Sequence, residues 1–168
     1  PDQPLFDAAS KGDISNPKQI DDRLWNMMGD PRAKAKLHSF FHHWLNLSEK
    51  EDLDKDPNLF PGFDEKIIAD LRTSLDLFID NVVWSEQSDY RRLFTEDKLY
   101  LNPRLADFYG APKPKTNSFE PLLTSDKKRA GLFTHPYVLT AFSYHKQTSP
   151  IHRGVYLSRN VLGRFLKP

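Results

Sequence analysis

Apolar residues in this chain recur mostly every three or four positions, and several of these runs open on a polar residue followed by proline. Asn16-Pro17 precedes KQIDDRLWNMM, where Ile20, Leu24, Met27 and Met28 fall on one helical face ahead of Gly29. Asp30-Pro31 repeats the device before RAKAKLHSFFHHWLNL, whose Leu37, Phe40, Phe41, Trp44, Leu45 and Leu47 make a wide apolar face. Two helices joined by a tight turn are therefore expected. A longer one follows from about Asp64 to Val83, carried by Ile67, Ile68, Leu71, Leu75, Phe78, Ile79, Val82 and Val83. Asp64, Glu65 and Asp70 load its first part with charge that suits the positive end of the helix dipole. The Phe40–Leu47 face is its expected partner, with Trp44 against Leu71, Leu75 or Phe78.

Asn102-Pro103 opens a short helix closed by Gly110. Thr148 or Ser149, followed by Pro150, opens the last helix, which Gly163 ends. EKEDLDKDPNLFPGF and APKPKTNSFEPL read as loops. KKRAGLFTHPYVLTAFSYHKQ has aromatic and β-branched residues without clean alternation, so a loop, a short strand or a helical turn each fit it. The expected fold class is mainly α: an irregular multi-helix bundle with long loops, with a candidate short strand segment near residues 131–142. Its expected organisation is a helical region over 1–111, a linker loop over 112–126 and a second region over 127–168 packed on the first.

Composition narrows the chemistry. Without cysteine, the 168 residues hold no disulfide, thiolate metal site, cysteine nucleophile or covalent c-type haem attachment. No run approaches eighteen apolar residues, so no membrane-spanning segment is expected. The net charge of +1 is unevenly spread: residues 120–168 carry eight Lys/Arg against two Asp/Glu, and residues 1–119 carry sixteen against twenty-one. Either the basic part faces an acidic protein partner or cofactor propionates, or the two parts pair with each other. No Lys/Arg block interleaved with aromatics points to nucleic acid.

Candidate chemistry competes with packing at every position. His38 and His42 lie four apart on one helix face, a spacing that suits two metal ligands, but Ser39 stands where a zinc protease has its glutamate. His145 is a candidate axial haem ligand, and His135 and His152 lie near it in sequence. Ser149, His145 and Asp126 supply the residue types of a hydrolase triad without a nucleophile-elbow sequence. Asp52, Asp54 and Asp56 alternate without the glycine and closing glutamate of a calcium loop. Arg153 is expected to reach from the last helix to a carboxylate or a loop carbonyl, with Gly154 admitting a closely packed backbone.

Several segments together carry a resemblance: PLFDAASKGDISNP, DPRAKAKLHSFFHHWLNL, LFPGFDEKIIADLRTSLDLFIDNVV and YLNPRLADFYG, then KKRAGLFTHPYVLTAFSYHKQTSPIHRGVYLSRNVLG. In this order they resemble the planctomycete-type cytochrome-associated proteins, spanning the adjoining families called domain of unknown function 1592 and domain of unknown function 1588. The positions that carry it are Asn102, Arg104, Thr148, Ser149, Pro150, Arg153 and Gly154, which are structural or interaction candidates. The resemblance implies an extracytoplasmic, periplasmic-type bacterial protein with a redox connection. In such proteins a C-x-x-C-H motif commonly follows the TSP-x-x-RG helix. A haem c would therefore belong to a segment beyond Pro168 or to a partner chain, and the last helix would be internal to a longer protein.

Three functions compete on this basis. The leading one is a non-catalytic helical scaffold or interaction region that supports electron transfer by positioning a haem-bearing neighbour, either a C-terminal segment or a separate chain. The others are a haem oxidoreductase or glycan-processing hydrolase completed by further sequence, and a purely structural domain.

Overall fold

A computed structural model describes residues 2–48, 53–123 and 129–164. The chain divides into two compact units, residues 1–41 and 42–168. The first unit holds α1 (Gln3–Ser10), α2 (Pro17–Met28) and most of α3 (Pro31–Trp44), whose last turn belongs to the second unit. Asp2 caps α1 by accepting from the Leu5 amide at 3.0 Å, and Asn16 caps α2 by accepting from the Gln19 amide at 3.0 Å. The apolar spacing does not announce α1, although Asp2 and Pro4 mark its start. The expected tight turn joins α2 to α3 through Gly29 and Asp30. The amphipathic face of α2 forms as its spacing predicts, but no residue of that helix is buried: Ile20, Leu24, Met27 and Met28 all remain exposed.

The second unit is organised around α4 (Glu65–Val83), which starts where Asp64 Oδ1 accepts from the Ile67 amide at 2.9 Å. Its 3.6-residue period buries Ile67, Leu71, Leu75, Phe78, Ile79 and Val82, and the same face also buries the polar Asp70 and Ser74. Against it lie α5 (Arg92–Thr95), β1 (Lys98–Leu101), α6 (Pro103–Tyr109) and α7 (Pro136–Ala141). One long helix thus gives several short ones the apolar surface that none could bury alone.

The mainly α class holds, with one small sheet among the described residues. Its strands are β1 and β2 (Glu120–Leu123), antiparallel in the register Lys98↔Leu123 to Leu101↔Glu120. The strand segment therefore lies elsewhere than residues 131–142. Leu132–Thr134 is a 3₁₀ turn and α7 follows directly, because His135 precedes a proline at the first helical position and its Nδ1 accepts from the Tyr137 amide at 3.3 Å. The expected linker over 112–126 contains β2, and residues 124–126 lie outside the described ones.

Trp44 meets partners that the spacing does not point to. Its half-buried ring meets Phe133 edge-on with centroids 6.0 Å apart, and its Nε1–H donates to the Asn160 carbonyl at 3.2 Å. At the end of α3 it is Leu45 and Leu47 that are buried.

His135 is buried at 2 % exposure, and burial drives its pKa down to about 3, with the charge of Arg129 adding to the effect against Asp76. The folded protein keeps this ring neutral, whereas the unfolded chain protonates it near pH 6.5. Below that value the unfolded state binds more protons. Stability should therefore fall as pH drops from about 6.5 toward 3, and His135→Gln should flatten that part of the profile. Urea unfolding at stepped pH values measures this, and an unchanged slope would exclude His135 as its source.

Candidate functional site

Four polar groupings stand out in the second unit, and each can be traced to local sequence. The first begins with Asn102, whose Oδ1 accepts from the Leu105 amide at 2.8 Å and starts α6, with Pro103 in the first position. That start aims Arg104 back at α4. Its Nε and a terminal nitrogen donate to the two oxygens of Asp70 at 2.5 and 2.9 Å, a two-pronged pair. Asp70 is buried, whereas the Arg104 side chain is about half exposed at 48 %. Burial raises the carboxyl's pKa, but the hydrogen bonds from Arg104 and Asn102, with the charge of Arg104, outweigh this and hold it below its ordinary value.

The two halves of this pair should not be equivalent. Arg104→Ala strands a buried carboxylate, whereas Asp70→Asn leaves a guanidinium that water reaches. Arg104→Ala should therefore lower the urea midpoint more than Asp70→Asn does. The reverse order would mean that Asp70 is not the desolvated partner.

The second grouping is Ser74 with His135, whose Oγ and Nε2 lie 3.3 Å apart, both buried. Because Nδ1 of His135 already accepts a backbone N–H, Nε2 carries the proton and donates to Ser74. A serine nucleophile needs the opposite polarity, with the imidazole taking its proton. This pair is a cap joined to a helix.

The histidines selected from sequence go separate ways. Nε2 of His42 donates to Asp76 Oδ1 at 2.7 Å, and His38 is half-buried on α3. Among the described residues no three His, Cys, Asp or Glu side chains gather where they could hold a metal. His145 is exposed in a small hairpin where Ser143 bridges Thr148 and the Tyr144 amide donates to the Gln147 carbonyl at 2.8 Å. Its Nδ1 lies 3.3 Å from Asp54, its carbonyl accepts from the Asp56 amide, and Lys146 lies 3.3 Å from Asp56. The acidic loop and the basic hairpin thus pair with each other as the third grouping. Asp52 and Asp126 lie outside the described residues, so the calcium-loop and triad comparisons lose a member each. The His152 ring sits against Tyr144, with centroids 4.9 Å apart.

Ser149 starts the last helix as expected. It is 2 % exposed, its Oγ accepts from the His152 amide at 3.4 Å, and Pro150 opens α8 (Pro150–Tyr156), while Thr148 is exposed. The other two residues of this motif depart from expectation. Arg153 reaches no carboxylate or carbonyl among the described residues and instead lines a hollow. A Cβ built on Gly154 would meet nothing within 4 Å, so no backbone approaches closely there. Gly154→Ala should accordingly raise stability by about 1 kcal/mol in thermal or denaturant unfolding, as for a glycine in an open helix interior. A loss would reveal a close neighbour at that face.

The fourth grouping is that hollow, about 590 Å³ in volume, between α7 and α8. Phe133, Leu139, Phe142 and Tyr156 supply apolar walls, and Arg129 and Arg153 also line it. A second hollow of about 340 Å³ shares Arg129, Leu139 and Arg153 with it. Sequence reading missed Arg129, which is hidden in the Lys-Lys-Arg run, and treated His135 only as a neighbour of His145. The cap position before Pro136 was the available signal for His135.

A family model described as protein of unknown function (DUF1592), PSD4, matches residues 1–111. One described as protein of unknown function (DUF1588), PSCyt3, matches residues 129–168. No curated protein and no solved structure matches the chain.

Proposed function

The chain belongs to the PSD4 family of proteins of unknown function (DUF1592), and we propose that it is a non-catalytic helical scaffold within a larger haem-associated bacterial protein. Both matching families are of the planctomycete cytochrome type, and they adjoin here in the order the sequence segments suggest. The observation that carries the reading is how the motif residues are used. Asn102 and Ser149 cap helices, Arg104 clamps α6 to α4 through Asp70, and Ser74 with His135 ties α7 to the same helix. These groups start short helices or hold them on a long one, which is what a positioning element requires.

On this reading the region sets the place of a haem-bearing neighbour, a C-terminal segment or a separate chain, and supports electron transfer from outside the cytoplasm. No helix among the described residues is long and apolar enough to cross a membrane. Purifying from its source the full-length polypeptide that contains this region, with any tightly bound partner, tests the proposal. An intact mass carrying haem, or a haem absorption band that copurifies with the region, is expected. A full-length polypeptide with neither would overturn the haem association. Substrate turnover lost in Asp70 or His135 variants that remain folded would overturn the non-catalytic assignment.

A further inference from the structure

The hollow between α7 and α8 has more polar capacity than the fold uses. Four polar side chains line it: Arg129, Thr134, Arg153 and Tyr156. Thr134 Oγ1 donates to the Ala130 carbonyl at 2.7 Å, and the Tyr156 hydroxyl donates to the Trp44 carbonyl at 3.2 Å, so both are satisfied within the protein. The two guanidinium groups have no carboxylate partner among the described residues, and no described Asp or Glu lines either hollow. Elsewhere in the chain arginines find acids readily, as Arg32 does with Asp30, Arg91 with Asp89 and Arg92 with Glu96.

We propose that this hollow is a binding site for a small anionic amphipath, an aromatic or aliphatic body carrying a carboxylate or similar oxyanion. Its volume falls in the range of small-molecule sites, about 300–1,000 Å³. Phe133, Leu139 and Phe142 receive the apolar body. Arg129 and Arg153, which border both hollows, take the anion with the directed donors a guanidinium offers. The proposal stands apart from haem association and is read on this chain alone.

Two dyes of similar ring body test it on the 168-residue chain: 8-anilinonaphthalene-1-sulfonate, an anion, and N-phenyl-1-naphthylamine, which is neutral. The anionic dye should bind saturably at one per chain. Arg153→Met and Arg129→Met should each weaken it about tenfold while changing the neutral dye less than about twofold, and Arg153→Lys should fall between. Leu139→Glu should weaken both dyes, and far-UV circular dichroism identifies any variant that has lost its fold. Should the arginine variants prove misfolded, wild-type affinity for the anionic dye must still drop with added benzoate. Unsaturable binding, equal loss of both dyes in folded arginine variants, or indifference to benzoate would overturn the proposal.

Discussion

Gly131→Ala should destabilise the second unit by roughly 3 kcal/mol or more, from two additive causes. Gly131 has φ 65° and ψ −173°, a region open in practice to glycine alone. A Cβ there would also lie 2.5 Å from the Leu93 carbonyl oxygen and 2.5 Å from the Phe94 Cα. Those atoms are backbone in α5 and have no flexible end to swing aside. The loop cannot simply retract, because the Gly131 amide donates to the Glu96 carbonyl at 2.8 Å. Denaturant unfolding of the purified variant measures the effect. A loss below about 1 kcal/mol would show that α5 and the 3₁₀ turn separate at little cost.

Phe78→Ala is the second large expected effect, a loss of roughly 3–5 kcal/mol. The ring is 1 % exposed in the middle of α4, the helix on which β1, α5, α6 and α7 all rest. Its centroid lies 6.2 Å from that of His135, so the vacated space opens beside a buried polar ring and not only among aliphatic chains. A midpoint that falls with an unchanged denaturant slope is the expected signature. A change under about 1 kcal/mol would remove α4 from its central role.

The features legible in the sequence are those written within a few residues of one another. Asn16, Asp64, Asn102 and Ser149 each satisfy an amide three residues ahead, and local spacing suffices to find such caps. The length of α4 was legible because its apolar period runs for five turns. Asp70 shows the boundary of this kind of reading. From sequence it is a charge suited to a helix start, and its actual role depends on Arg104, thirty-four positions away. β1 and β2 were hidden for the same reason: Glu-Pro-Leu-Leu has no alternation, and pairing with Lys98–Leu101 alone makes it a strand. Trp44 points to α4 in the sequence because that is the longest apolar surface legible there. Phe133 competes for it from a segment whose local pattern favours no single structure.

After Tyr156 the final helix does not stop but widens: Leu157–Val161 forms a π turn, and the Leu162 amide donates to the Leu157 carbonyl at 3.0 Å. A bond across five residues holds one residue more than an α turn of the same height. The chain therefore carries a spare position here, and deleting one residue from this stretch would restore ordinary helical phase without disturbing Ser149 or Arg153 upstream. Everything downstream would rotate by about 100° around the helix axis. In evolutionary terms, this turn is where a single-codon insertion or deletion could redirect whatever the helix leads into at the cost of the Trp44–Asn160 hydrogen bond, while the capped start of α8 stays as it is.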